Sequence, residues 1–120
     1  MAKLLIVDDD EISARFFGEI LTSLGHVVIA VGNASDAFDV IAREGTDLVL
    51  MDLEMPGING VEATREIKRN KAFQDVPVLI LSAHAEAQAF EEVRLAGADG
   101  YIHKHCDRTT LEQKVDEALS

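Results

Sequence analysis

The sequence predicts an α/β domain in which a sheet of five parallel strands carries helices on both faces. Short apolar runs alternate five times with longer amphipathic segments, and turn-forming residues bound each apolar run. Such runs are typical of strands buried on both faces, and the amphipathic segments are typical of helices that cross over between parallel strands. A length of 120 residues suits one domain covering 1–120.

Three strands and two helices are expected in the first half of the chain. The strands are predicted at 4–7, 27–31 and 48–51. The first helix follows three aspartates and ends at Gly25. Its buried stripe is predicted to contain the apolar residues Ile12, Phe16, Ile20 and Leu24, widened by Phe17 and Leu21. The second helix is expected to be capped by Asn33 or Ser35 and to end at Gly45.

Two strands and three helices are expected in the second half. The strands are predicted at 78–81 and 101–103. The third helix begins at about Gly60 and has a basic end. The fourth helix spans 85–96 and turns Phe90 and Val93 inward, and the last opens with Thr109-x-x-Glu112, the pattern of a capping box.

The composition argues against binding to nucleic acids or insertion into membranes. There are 22 acidic against 11 basic residues, a net charge of −11, which repels phosphate groups and anionic lipids. A solvated surface accounts for most of these acids, and a cluster that holds a divalent cation is the more specific interpretation. The single Cys106 excludes an internal disulfide, and the first apolar run is too short for a signal peptide or a span. Cytoplasmic localisation is therefore expected, and Met1 suggests a natural start.

Polar side chains stand at the carboxyl ends of the predicted strands, where ligands bind in an open parallel sheet. They are Asp8 and Asp9 after the first strand, Asp52 after the third, Ser82 after the fourth and Lys104 after the fifth. Taken singly, each has an ordinary explanation, since Asp8 or Asp10 could cap a helix. Ser82 could shape a turn, and Lys104 could lie at the surface. Their occurrence at every strand end but the second points to one shared reaction.

That reaction is the transfer of a phosphoryl group to a carboxylate. Mg²⁺, or Mn²⁺ as an alternative ion, prefers oxygen ligands, so clustered acids can hold it. The phosphoryl group spreads negative charge over three oxygens, which Mg²⁺, Lys104 and Ser82 can each meet. Asp52, near the middle of the edge, is then the nucleophile. Without metal the acids repel one another, which should destabilise the fold modestly.

Several motifs accompany these residues: Val7-Asp8-Asp9, Met51-Asp52-Leu53-Glu54-Met55-Pro56-Gly57 with Gly60 beyond it, Ser82-Ala83, and Tyr101 three residues before Lys104. Through these motifs the chain resembles, over its whole length, a response-regulator receiver domain of the stand-alone, chemotaxis-regulator type. Ser82 lies 30 residues and Lys104 lies 52 residues after Asp52, as in that family. The resemblance implies a flavodoxin-like, doubly wound fold with five helices and strand order 2-1-3-4-5.

The resemblance also implies the chemistry of the site. Asp52 would take a phosphoryl group from a phosphohistidine on a histidine kinase or a phosphotransfer protein. Asp9 and Asp52 would bind Mg²⁺ directly, together with the backbone carbonyl of Glu54, and Asp8 would act through water. Lys104 would pair with the phosphoryl group.

A two-state switch is implied as well. Ser82 would swing toward the phosphoryl group, Tyr101 would turn inward into the vacated space, and the small Ala83 would leave room for this motion. The surface formed by the fourth helix, the fifth strand and the fifth helix would then change its affinity for a downstream protein target. Glu54 and His84 would rim the pocket and influence how fast the phosphoryl group is lost to water.

One position departs from the family pattern, because His105 stands where a Pro with a cis peptide bond is usual. A cis bond before a residue other than Pro is costly, so the Lys104–His105 bond is predicted to be trans. The run His103-Lys104-His105-Cys106 is not expected to bind zinc, since such sites need four well-placed ligands and no second cluster completes this one.

Two other functions compete with the switch. A Mg²⁺-dependent phosphatase with an Asp nucleophile would resemble the haloacid dehalogenases, which place Asp-x-Asp on the first strand. Here the candidate nucleophile is on the third strand in Asp52-x-Glu54, and the chain lacks the length for a cap domain. An inert receiver-like scaffold is the other alternative. The switch remains the main expectation, with no enzymatic activity beyond self-phosphorylation and autodephosphorylation.

Overall fold

Five strands form one parallel sheet in the computed structural model, which describes residues 2–55, 57–83 and 87–120, the last segment without the side chains of 87–89. The sheet order is β2-β1-β3-β4-β5, which confirms the predicted topology. The strands are β1 (Lys3–Val7), β2 (Val27–Val31), β3 (Leu48–Asp52), β4 (Val78–Ser82) and β5 (Gly100–His103). Every neighbouring pair is parallel, so all carboxyl ends lie at one edge of the sheet.

Four helices connect the strands, a fifth follows β5, and together they cover both faces. They are α1 (Glu11–Ser23), α2 (Ala34–Glu44), α3 (Gly60–Arg69), α4 (Ala87–Ala96) and α5 (Arg108–Leu119). Asn33 caps α2, and Asp107 caps α5 by accepting a hydrogen bond from the Thr110 N–H at 2.7 Å. The capping box predicted at Thr109 is therefore wrong, because Asp107, two residues earlier, is the residue that caps α5.

The sheet separates two apolar layers. Strands β3 and β4 are buried along their whole length. One layer packs the sheet against α2, α3 and α4 and includes Leu5, Val7, Val49, Met51, Ala37, Ile41, Ile67 and Val93. The other packs it against α1 and α5 and includes Leu4, Ile6, Leu48, Leu50, Phe17, Leu21, Leu111 and Val115. Side chains that alternate along each strand therefore serve opposite layers, as a doubly wound fold requires.

The buried face of α1 differs from the predicted stripe. Phe17 and Leu21 are buried, whereas Ile12 is 81% exposed and Phe16 is 54% exposed. The other two positions of the stripe are half-buried against the sheet: Ile20 and Leu24. Residues four apart drift by about 40° per step around a helix of 3.6 residues per turn, so the predicted stripe spreads over about 120°. Its first two members consequently leave the core.

The prediction for α4 is confirmed in part. Val93 is buried as expected, but Phe90 is 46% exposed and packs on Tyr101 with 4.2 Å between the ring centroids. Residues 85 and 86 of the predicted helix lie outside the described residues.

Lys68 joins two loops at the amino-terminal ends of strands β4 and β5. Lys68 Nζ, at the end of α3, donates to the Val76 carbonyl at 2.8 Å and to Asp99 Oδ2 at 2.8 Å. The same Asp99 oxygen accepts a hydrogen bond from the Val78 N–H at 2.8 Å. This Lys68–Asp99 clamp joins the loop before β4 to the loop before β5, at the end of the sheet away from the strand-end acids.

Candidate functional site

The polar residues predicted at the strand ends meet in an open cleft of about 450 Å³. Parallel pairing brings them together, because β1, β3, β4 and β5 all end at this edge. The cleft is lined by Asp9, Asp10, Asp52, Leu53, Glu54, Met55, Ser82, Ala83 and Lys104. The residue set expected from the sequence is thus assembled in one place.

Three carboxylates form the floor of the site. Oxygen atoms of Asp8, Asp9 and Asp52 all lie within 4.8 Å of one another. Asp8 and Asp52 are buried, while Asp9 is exposed. Like charges this close need a cation, and oxygen donors in this number suit Mg²⁺, which retains part of its water shell. The residues present therefore fit a magnesium ion.

Lys104 supplies a positive charge to two of these acids. Its Nζ lies 3.0 Å from Asp8 Oδ2 and 3.2 Å from Asp52 Oδ1. Burial lowers the pKa of Lys104, but the hydrogen bond to Asp8 and the attraction of Asp52 outweigh it and raise the pKa above its usual value. The backbone N–H of Lys104 also donates to the Ser82 carbonyl at 2.8 Å, which fixes the loop after β5 against β4. The ammonium group therefore points into the acidic floor.

The two aspartates after β1 have different surroundings. Asp8 accepts the Asp10 N–H at 2.9 Å on Oδ1 and Lys104 on Oδ2, so both of its oxygens are engaged. Asp9 is open to solvent at the cleft. Asp10 caps α1 by accepting the Ile12 N–H at 3.0 Å, which resolves the alternative of Asp8 or Asp10 as the cap.

Asp52 is the acid whose ionisation is most disfavoured. Burial and the neighbouring Asp8 charge raise the pKa of Asp52, Lys104 offsets only part of this, and the resulting pKa is about 6. A carboxylate held in this way gains from any cation or hydrogen-bond donor that enters the cleft.

The stability of the metal-free protein should fall as the pH rises toward about 6. Asp52 ionises at its ordinary value of 3.8 in the unfolded chain but only at about 6 in the folded protein, so the folded state binds more protons between these values. The loss of folding free energy is absent below pH 3.8, complete above about pH 6, and at most about 3 kcal/mol. Chemical denaturation with the metal chelated measures it.

Asp52→Asn should flatten this pH dependence, and Asp39→Asn, at an exposed position of α2, is the matched control. The hydrogen bonds that Asp10 and Asp107 accept at helix starts lower the pKa of each, so these groups act at lower pH. A slope that Asp52→Asn leaves unchanged would assign the titration to another group.

The backbone of the Asp52 strand end touches the start of α3. The Gly60 N–H donates to the Leu53 carbonyl at 2.9 Å. A Cβ at position 60 would overlap the Asp52 carbonyl oxygen and would lie 2.9 Å from Leu53 Cα. Only a glycine fits at position 60. The start of α3 can therefore pack directly against the backbone of Asp52, the phosphoacceptor candidate. The sequence signal for this contact is Asn59-Gly60, a helix cap followed by a residue without a side chain.

The other predicted site residues are placed as follows. The Ser82 side chain is buried at the cleft, and Ala83 and Glu54 lie exposed at its rim. Tyr101 is half-buried on β5, against Phe90. His84, predicted to tune the rate of phosphoryl loss, lies outside the described residues.

The His105 position behaves as predicted. The Lys104–His105 peptide bond is trans. The His105 N–H, which a proline would lack, donates to His103 Nδ1 at 3.1 Å. Within residues 2–55, 57–83 and 87–120, only the Asp8, Asp9 and Asp52 group has three ligand atoms close enough for a metal ion, so no zinc cluster forms around Cys106 among them.

Similarity to known proteins is consistent along the whole chain. The sequence profile of the response regulator receiver domain matches residues 4–116. Protein PilH of Pseudomonas aeruginosa is 32% identical over 120 residues, which are 100% of this chain and 99% of PilH. The polar-differentiation response regulator DivK of Brucella anthropi is 30% identical over 101 residues, which cover 84% of this chain and 82% of DivK.

One solved structure has a similar fold and contains a bound metal ion. The receiver domain of the sensor histidine kinase PA1611 from Pseudomonas aeruginosa is similar with a TM-score of 0.90 and 29% identity, covering 98% of this chain and 97% of that one. That protein has a magnesium ion coordinated in its active-site cleft. Across the described residues of the present chain, no helix has the length and apolar character needed to cross a bilayer.

Proposed function

Because this chain belongs to the response regulator receiver domain family of two-component signalling, we propose that it is a switch controlled by phosphorylation of Asp52. The supporting observation is the placement of Asp52 at a strand end, with Lys104 Nζ 3.2 Å from its carboxylate and two further acids beside it. An Asp52 oxygen attacks the phosphorus of a phosphohistidine on a histidine kinase or phosphotransfer protein. The P–N bond breaks, a P–O bond forms, and the donor imidazole leaves.

Asp9 and Asp52 are the side chains proposed to hold Mg²⁺, or Mn²⁺ in its place, with the Glu54 backbone carbonyl as a third ligand. The exposure of Asp9 at the cleft and the full engagement of Asp8 support direct binding by Asp9 and an indirect role for Asp8. When bound, the ion neutralises charge on the phosphoryl oxygens.

Lys104 and Ser82 are proposed to bind the transferred phosphoryl group. Lys104 loses one partner when the Asp52 oxygen is phosphorylated, and the new phosphoryl oxygens lie within reach of the same ammonium. Ser82, buried beside Asp52 at the cleft, follows as a hydroxyl donor. Tyr101 then moves inward past Ala83, and the surface of α4, β5 and α5 changes its affinity for a downstream target. Glu54 and His84 tune the lifetime of this state.

Chemistry on other substrates is not part of the proposal. The site transfers a phosphoryl group to its own Asp52 and loses it to water. Sustained turnover of a generic phosphomonoester would favour the phosphatase alternative instead.

The phosphodonor protein is proposed to dock on the exposed Ile12 and Phe16 of α1. This apolar pair lies in the first turns of a helix whose cap, Asp10, lines the cleft. Phe16→Glu should slow phosphotransfer from a cognate partner by about tenfold or more, since apolar anchors carry much of an interface's affinity. Labelling by acetyl phosphate should be unchanged. Equal loss with both donors would mean that the substitution damages the site itself.

Intact mass after incubation with Mg²⁺ and acetyl phosphate tests the proposed function. We expect one phosphate adduct in the wild type, none in Asp52→Asn, and none after chelation of Mg²⁺. Asp39→Asn is the matched control and should retain the adduct. An adduct that persists in Asp52→Asn would contradict the assignment. If no adduct is trapped although the fold is intact and Mg²⁺ binds, release of inorganic phosphate distinguishes rapid hydrolysis from an inert scaffold.

A further inference from the structure

Strand β2 leaves one edge of the sheet open. It pairs only with β1 among the described strands. Its sequence, Val-Val-Ile-Ala-Val, contains no charged residue and no proline, and Val27 is 46% exposed. Natural proteins usually protect such an edge with lysine, proline or a bulge, because its unpaired backbone can bind another strand.

The hydrogen bonds to β1 identify the free backbone groups. The Val27 N–H donates to the Ala2 carbonyl at 2.9 Å, and the Val31 carbonyl accepts the Asp8 N–H at 3.0 Å. In a parallel ladder, alternate residues face the same neighbour, so residue 29 faces β1 as well. Val28 and Ala30 therefore direct their N–H and C=O groups outward.

A groove of about 710 Å³ runs beside this edge, between β2 and α1. Its walls include Val28 and Ala30 from β2 and the small residues Ala14 and Gly18 from α1. Two oppositely charged residues one turn apart on α1, Arg15 and Glu19, also line it. Neither takes part in an ion pair with a described residue.

We propose that this edge pairs with the same edge of a second copy. The two β2 strands run antiparallel, and the two-fold axis passes between the two Ile29 residues. In this register Val28 of each copy lies opposite Ala30 of the other. Each pair exchanges two hydrogen bonds, from the Val28 N–H to the Ala30 carbonyl and from the Ala30 N–H to the Val28 carbonyl. The two sheets become one sheet of ten strands.

The same axis brings the two α1 helices side by side in opposite directions. Arg15 of each copy then lies next to Glu19 of the other, and Ala14 and Gly18 leave space for the helices to approach. This reciprocal match of charge and the self-complementary hydrogen-bond pattern favour a second copy over an unrelated peptide. Arg15 and Glu19 also line the groove that contains Ile12 and Phe16, so the dimer contact adjoins the proposed docking surface of the phosphodonor.

Sedimentation of the full chain tests the proposal, at about 150 mM salt because the net charge of −11 on each copy opposes association at low ionic strength. We expect a concentration-dependent dimer between about 1 μM and about 1 mM, the range of weak interfaces. Ala30→Pro removes an outward N–H but no bond to β1, so it should abolish the dimer and leave the sheet intact. A wild type that stays monomeric throughout this range overturns the proposal.

Charge reversal provides a test that does not depend on the strand. Arg15→Glu and Glu19→Arg should each weaken the dimer by about tenfold or more, because like charges then face each other. The double variant should restore it, and Arg43→Glu on α2 is the matched control. A dimer that is insensitive both to Ala30→Pro and to charge reversal would use a different surface and would also overturn the proposal. Hydrogen exchange adds a residue-level readout: the Val28 and Ala30 amides should become protected only as dimer forms.

Discussion

Replacing Lys104 with Met should destabilise the metal-free protein by about 3 kcal/mol at pH 7, the usual consequence of removing one partner from a buried ion pair. Asp8 and Asp52 would keep two buried negative charges with no compensating cation, since Lys104 contacts both at 3.0 and 3.2 Å. The pKa of Asp52 is already raised to about 6 with the lysine present, and it should rise further without it. The destabilisation should therefore shrink as the pH falls to about 6 and below, where Asp52 takes up a proton.

Urea denaturation at several pH values measures this effect. Lys114→Met, at an exposed position of α5, is the matched control and should change the stability by less than about 0.5 kcal/mol. In the Asp52→Asn background the loss caused by Lys104→Met should be smaller, because one of the two buried charges is gone. Excess Mg²⁺ should restore part of the stability by binding only to the folded protein. A loss that is the same at every pH would show that Lys104 acts through packing of its aliphatic chain.

Gly60→Ala should destabilise the fold by about 3 kcal/mol or more, because overpacking against backbone cannot relax by a side-chain rotation. The added methyl group would overlap the Asp52 carbonyl oxygen and crowd Leu53. Either α3 or the end of β3 has to move. Phosphorylation should slow as well, since the displaced atoms belong to Asp52, the proposed phosphoacceptor.

Thermal unfolding together with the rate of labelling by acetyl phosphate tests this contact. Gly32→Ala is the matched control, because a Cβ there would come no closer than 4.0 Å to Asp9 Cα, an ordinary contact. If Gly60→Ala unfolds and reacts like the wild type, α3 does not constrain Asp52 in the way the contact indicates.

The strands and the composition of the site were predictable from the sequence for one physical reason. Fully buried parallel strands are uninterrupted apolar runs, so the first polar residue after each run marks the edge where ligands bind. This rule alone places Asp8, Asp52 and Ser82 together, and Lys104 follows in the same way after β5. The strand order came from family resemblance, because local sequence does not encode which strands are neighbours.

Features that depend on the third dimension were not predictable. The α1 stripe was misplaced because spacing by four follows the helix period only over a turn or two, so Ile12 and Phe16 end up in solvent. The sequence predicted that Lys104 pairs with a phosphoryl group. Only the folded site shows that Lys104 also bridges Asp8 and Asp52. Asn59-Gly60 marks the start of α3 in the sequence, but the close approach of the Asp52 backbone to Gly60 is seen only in the folded structure.

The Lys68–Asp99 clamp has a consequence for recombining this chain with its relatives. Its two members are 31 residues apart in the sequence but share one contact of 2.8 Å. A chimera whose junction falls between positions 68 and 99 inherits the ammonium from one parent and the carboxylate from the other, so mismatched parents break the clamp. Junctions outside this segment transmit the pair as a unit. Shuffled libraries should therefore be enriched, among folded members, in crossovers that lie before Lys68 or after Asp99.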